Sequence, residues 1–221
     1  MKNNIIMTLL VLLFSFPSIC FAKVQTYIKE YTYQASEDDS RNSSRVSAMR
    51  EVKRLLLEEL GTYLESVTEV KNFQLTKDQI TALTAGIVKT EIVSEKWDGS
   101  TYWIKTKIVA DEGDVIKSID NLRKDRSKSK ELEDLQRRAD VILEENKKLR
   151  EELKLAKGDD KQKKIEKYDN SIKELSSIEW LESGIRNYEG GDYKSALYDF
   201  SKAIELNPEY IQAYNLSLIH I

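Results

Sequence analysis

Apolar positions change their period several times along this chain, and each change marks an element. After a leading apolar run, VQTYIKEYTYQA (Val24 to Ala35) is rich in β-branched and aromatic residues and predicts a strand. Val46, Met49, Val52, Leu56, Leu60 and Leu64 then recur at three and four, with Leu55 and Leu57 widening the stripe, which predicts a long helix. Thr76 and Gln79 have capping-box spacing, so a short helix is predicted to begin there and to stop at Gly86. IVKTEIVSEKW and TYWIKTKIVA alternate with period two around Asp98-Gly99, a hairpin signal. Within it Tyr102 belongs to the core, and Trp103, on the other face, is exposed or in a cross-strand pair. Asp111 to Leu122 returns to helix, with Val115, Ile116, Ile119 and Leu122 on its apolar side. The order β, α, α, β, β, α, with room for one more strand between the first two helices, predicts a small α+β domain over 23–122. Its helices cover one face of an antiparallel sheet.

From 123 to 176 the pattern changes to heptads. Leu132, Leu135, Ala139, Ile142, Asn146, Leu149, Leu153 and Ala156 alternate by three and four and fall at a and d positions. Asn146 takes an a position, where a buried amide fixes register. The run breaks at Gly158-Asp159-Asp160, and a second seam of Ile165, Tyr168, Ile172 and Leu175 follows. Dense in charge, with Tyr168 its one aromatic and no proline, this zone predicts a helical spacer. Its seam, through Leu132, Leu135, Ile142, Asn146, Leu149 and Leu153, is expected to join copies of the chain into a homo-oligomer. The alternative is an amphipathic helix that packs back on its own chain.

The block 23–122 resembles the small periplasmic α+β domain of FlgT-like flagellar proteins and related envelope lipoproteins. The resemblance rests on the first strand, the helix RVSAMREVKRLLLEELGTYLES and the block ITALTAGIVKTEIVSEKWDGSTYWIKTKIVAD. It implies an envelope location and carries no catalytic residue. From Ser177, IEWLESGIRNYEGGDYKSALYDFSKAIELNPEY resembles a tetratricopeptide repeat, with Trp180, Gly184, Gly191, Tyr193, Ala196, Phe200, Ala203 and Pro208 at the family's spacing. Small Gly184, Ala196 and Ala203 let two antiparallel helices approach, Trp180 and Phe200 fill the layer between them, and Pro208 stops the second helix. The resemblance also implies that Leu181, Ile185 and Tyr188 face a peptide groove. Ile211 to Asn215 matches the opening of a second repeat, so repeat sequence spans 177–215. One repeat cannot bury its face alone, and about three are normally needed.

Both termini narrow the picture. Lys2 and the run IIMTLLVLLFSF (Ile5 to Phe16), followed by SICFA, read as a signal peptide over 1–22. The run falls short of the about 20 apolar residues of a membrane span. Ile19 stands where a lipobox needs a small residue, which disfavours lipidation at Cys20. The hexapeptide LSLIHI (216–221) back-translates as CTG TCT CTT ATA CAC ATC, the mosaic end of a transposase sequencing adapter. It is read as a library artefact, and a stop codon after Ile221 in the native locus would refute that.

Composition then limits the chemistry. The single Cys and single His are Cys20 and His220, both outside 23–215. No Cys–His or Ser–His–Asp catalysis and no His/Cys metal site is expected in the body of the protein, and no cofactor. The formal net charge of −3 offers no reason to expect nucleic-acid binding. The acidic pairs Glu58-Glu59 and Glu151-Glu152 sit among lysines on helix faces and read as solvated. The expectation is an exported, periplasmic, non-enzymatic scaffold or adaptor of the bacterial cell envelope. It would bind protein partners through a tetratricopeptide array and oligomerise through the coil, touching the membrane only through the leader or a lipid anchor. The alternative is a structural component of a flagellar or secretion-associated ring.

Overall fold

The structure, a computed structural model, describes residues 24–210. The leader, Cys20, the opening of a second repeat and the terminal hexapeptide with His220 lie outside the described residues. Within them the fold is mixed α+β and mostly helical, with one three-stranded antiparallel sheet of order β1-β3-β2 and seven helices.

Strand β1 (Val24–Gln34) pairs with β3 (Thr101–Asp111) in unbroken register from Val24 opposite Asp111 to Gln34 opposite Thr101. β2 (Thr90–Trp97) pairs with the other edge of β3, with a bulge between Ile92 and Ser94. Asp98 closes the hairpin by accepting the backbone N–H of Ser100 at 2.9 Å and of Thr101 at 2.6 Å, and Gly99 supplies the positive φ of 101°. Period-two alternation gives the sheet two unlike faces. Tyr33, Tyr102 and Ile104 are buried against Ala48 and Val52 of the first helix. The opposite face carries the ion pairs Glu30–Lys105 (2.8 Å) and Glu91–Lys107 (3.2 Å), and Lys96 lies over the Trp103 ring at 5.7 Å across the hairpin.

Helix α1 (Arg41–Ser66) starts at a reciprocal cap between Ser40 and Ser43 and is the central element of the molecule. One face covers the sheet. Its Leu57, Leu60 and Leu64 join a second, larger core shared with the helices that follow. The extra strand for which there was room does not form. The chain makes the short helix α2 (Thr68–Lys71) and a turn with Gln74 at φ 57°, because Val70 is pulled fully into the core. α3 (Lys77–Ala85) has the Thr76–Gln79 capping box and ends at Gly86, as the spacing predicts. α4 (Glu112–Lys124) is capped by Asp111 and buries Val115, Ile119 and Leu122.

The charged zone from 123 onward is not a free spacer. α5 (Arg126–Leu155) and α6 (Gly158–Glu189) form an antiparallel hairpin, reversed at Gly158 with φ 57°, that packs on α1, α3 and α4. The seam expected to join copies of the chain is buried within one chain: Leu132, Leu135, Ala139, Ile142, Leu149 and Leu153 all belong to the shared core. Leu132 approaches Gly86 so closely that a Cβ there would lie 2.8 Å from its methyls. Asn146, expected to set register between chains, accepts a hydrogen bond from Ser171 of α6 at 2.5 Å. The physical reason is that α1 and α3 leave an apolar face that three strands cannot cover. Each buried leucine gains about 1.5–3 kcal/mol over exposure, and contact within the chain avoids the translational entropy lost on association. α6 runs through position 176 without a break, so the charged zone and the repeat-like zone share one helix.

The far end of this hairpin is tied to the sheet at Asp39. Its carboxylate accepts from Tyr168 Oη at 2.5 Å and from Ser36 and Ser43, and pairs with Arg150 at 3.2 Å. Arg150 also lies over the Tyr33 ring at 4.7 Å.

Candidate functional site on the α6–α7 hairpin

The repeat-like zone forms the helical hairpin its spacing predicts. α6 turns at Gly191, with φ 80°, into α7 (Tyr193–Leu206), whose N-terminus is capped by Asp192 accepting from Ser195. The two helices approach closely where Gly184 faces Phe200. A Cβ on Gly184 would stand 2.4 Å from the ring, so only glycine permits this approach. Phe200, Ala196 and Ala203 are buried, and Ser177 Oγ donates to the Ala203 carbonyl at 3.0 Å. α7 ends at Leu206 with Asn207 as its C-cap, directly before Pro208.

Two aromatics expected to pack in the repeat stand further out. Trp180 is half-buried with its edge against Tyr198, centroids 5.9 Å apart. Tyr193 is 61% exposed and meets Tyr188 at 5.4 Å.

The expected peptide groove is closed by the chain itself. Leu181 is fully buried and Ile185 only 3% exposed, both inside the shared core, and half-buried Tyr188 lies under Lys128 at 5.0 Å. The residue between them explains the closure. Glu182, 1% exposed, accepts from Arg50 Nη1 at 3.1 Å and from Lys53, both on α1. Arg50 donates in addition to Gln136 of α5 at 3.0 Å. Burial alone would raise the Glu182 pKa; the adjacent Lys53 and Arg50 outweigh it and hold the carboxyl at about 2. Burial likewise opposes the charge on Arg50, and Glu182 reverses the effect and raises its pKa. A buried carboxylate shared by two cations of α1, one of which also reaches Gln136, acts as a fixed joint between α1, α5 and α6.

This joint was missed in the sequence, although a signal was present. Arg50 and Lys53 interrupt the stripe Val46, Leu57, Leu60, Leu64 at helical spacing, and Glu182 interrupts Ile178 and Ile185 in the same way. Charges on two apolar stripes of opposite sign mark helices that face each other.

The acidic pairs read as solvated are engaged at the surface: Glu58 with Arg54, Glu59 with Lys29, Glu151 with Lys154 and Glu152 with Lys164. Among the described residues no group of three or more His, Cys, Asp or Glu could hold a metal, and no helix is long and apolar enough to cross a membrane.

What stays open is the other side of the α6–α7 hairpin. Tyr193, Leu197 and Tyr198 are exposed on α7. Beside them an open groove of about 750 Å³ runs between α6 and α7, lined by Arg186, Asn187, Lys194 and Tyr198. Comparison with protein-family models, curated proteins and solved structures gives no match.

Proposed function

We propose that this chain is an exported, non-enzymatic adaptor of the bacterial cell envelope that binds protein partners through a tetratricopeptide-like hairpin. The observation that carries the reading is the Gly184–Phe200 contact, where the small residue and the ring of the repeat pattern meet between two antiparallel helices. The α+β part and α5 take the place of a cap: they cover the face of α6 that carries Leu181 and Ile185, as a terminal cap covers the first unit of a solenoid. Partner contacts then fall on the open side, where the exposed aromatics of α7 lie. The seam expected to oligomerise is buried inside the chain, and this reading does not depend on a coiled coil.

The test is photo-cross-linking in the native host with a benzophenone amino acid placed at Leu197 or Tyr198, against a control at Lys117 on α4. Discrete protein adducts at the two α7 positions and none at Lys117 are expected. Equal adducts at all three positions, or none at α7, would overturn the reading.

A further inference from the structure

Among the buried and half-buried arginines of the described residues, one stands apart from the rest in the open groove. Arg45, Arg50, Arg54, Arg123 and Arg150, the other arginines that are buried or half-buried, each have a carboxylate within 4.0 Å. Arg186 has none among the described residues. Its Nη1 donates to the Val88 carbonyl at 3.3 Å and its Nη2 to Ser183 Oγ at 3.0 Å. Both acceptors are neutral, and burial pushes the guanidinium pKa down despite the opposing charges of Glu182 and Asp199.

Glu182 and Asp199 oppose the effect of burial from a distance, but neither carboxylate comes within 4.0 Å of the guanidinium. Lys194 lines the same groove, and Lys89 stands at its rim, 3.9 Å from Glu91, whose closer partner is Lys107 at 3.2 Å. Two carboxylates line it as well, and both have fixed tasks. Asp199, 5% exposed, accepts from Asn187 Nδ2 at 2.7 Å. Asp192 caps α7 through the backbone N–H of Ser195 at 3.1 Å and its hydroxyl at 2.7 Å. Three cations against two carboxylates leave the groove short of one negative charge. That deficit fits a carboxylate, which carries one charge, better than a phosphate, which carries nearly two at neutral pH.

We propose that this groove binds a carboxylate side chain of an acidic peptide segment in a partner protein, held by Arg186 with Lys194 and Lys89 flanking it. A guanidinium presents parallel donors that a carboxylate accepts two at a time, and such charge-assisted pairs are the strong ones. The half-exposed Tyr198 ring at the groove's edge gives the peptide backbone an apolar surface to lie on. The proposal deepens the adaptor reading by naming the chemistry of its partner, and it rests on that reading.

Fluorescence anisotropy of a fluorescein-labelled hexaglutamate peptide with the full chain tests it. Binding that weakens as salt rises is expected, with hexaglutamine silent. Arg186→Gln should weaken binding by about tenfold, and Lys117→Gln, on α4, should leave it unchanged. Because Arg186 also holds Val88, Lys194→Gln serves as the second variant. Lys194 is exposed, so its loss leaves the fold intact and should weaken binding several-fold. Equal affinity in wild type, Arg186→Gln and Lys194→Gln would overturn the proposal. So would displacement of the peptide by inorganic phosphate at concentrations where acetate has no effect, which would assign the groove to phosphate. Cross-links at Tyr198 without hexaglutamate binding would sink the acidic chemistry alone. Hexaglutamate binding without cross-links would sink the adaptor reading in the cell and keep the site.

Discussion

Two successive turns of one helix, α6, treat charge in opposite ways. Toward α1, Glu182 is buried with both of its cations in contact, between apolar Leu181 and Ile185. One turn further along, Arg186 has no carboxylate within 4.0 Å among the described residues and lines the groove beside exposed residues of α7. A buried carboxylate gripped by two cations fixes register and holds elements together; a cation whose donors meet only neutral acceptors in an open groove has capacity to spare for a ligand. The difference separates the joint that builds the fold from the surface available to a partner.

The largest test of that contrast removes the joint. Glu182→Ala leaves Arg50 and Lys53 buried without an anion, and urea denaturation should show a loss of about 3–5 kcal/mol. Replacing Arg50, Lys53 and Glu182 together with Met, Met and Leu should recover most of that loss, since apolar side chains of similar size often substitute for a buried ionic set. A triple variant as unstable as the single one would show that the three charges do not act as a unit.

Next in size is the helix contact. Gly184→Val drives a side chain into the Phe200 ring and should cost about 1–3 kcal/mol in overpacking, partly relieved by adding Phe200→Leu. No rescue would mean that the hairpin closes elsewhere. Smaller again is the tip: Tyr168→Phe removes the hydroxyl that donates to Asp39. Thermal melts should show a loss of about 1 kcal/mol.

The joint also carries a pH signature. The folded pKa of Glu182, at about 2, lies below the ordinary carboxylate value of 4.5. Its contribution is therefore complete above pH about 4.5 and is lost as pH falls toward 2. Wild-type stability should drop through that window, and Glu182→Gln should flatten that part of the profile. The smallest stability effect belongs to the open face: Tyr198→Ala should shift stability by less than about 0.5 kcal/mol and abolish cross-linking at Leu197.

Much of the fold was legible because its signals are local. Thr76 with Gln79, Asp98-Gly99 and the break at Gly158 each specify backbone geometry within a few residues. The α6–α7 hairpin was legible for the same reason, since its spacing encodes a helix–helix contact between neighbours in sequence. What covers the heptad seam was not legible. Periodicity states that Leu132, Ile142 and Leu149 form an apolar stripe and says nothing of which surface meets it. Here α3, α4 and α6 of the same chain supply that surface. The same gap explains Leu181 and Ile185: the repeat pattern put them on a groove, and tertiary contact with α1 closed it. Arg50 and Glu182, 132 positions apart, declare themselves only when both stripes are read for the charges that interrupt them.

The account's central claim is that α6 is closed on one face and open beside the other, and thiol labelling tests it most directly. In a full-length Cys20→Ser background, Leu181→Cys and Tyr198→Cys are compared for their rate of reaction with a maleimide under native conditions. Tyr198→Cys should label at the rate of an exposed thiol, and Leu181→Cys at least about a hundredfold more slowly, because exposing it requires α6 to leave α1. Comparable rates at the two positions would show that the Leu181 face is open to solvent, and the division of α6 into a joint and a binding face would be wrong.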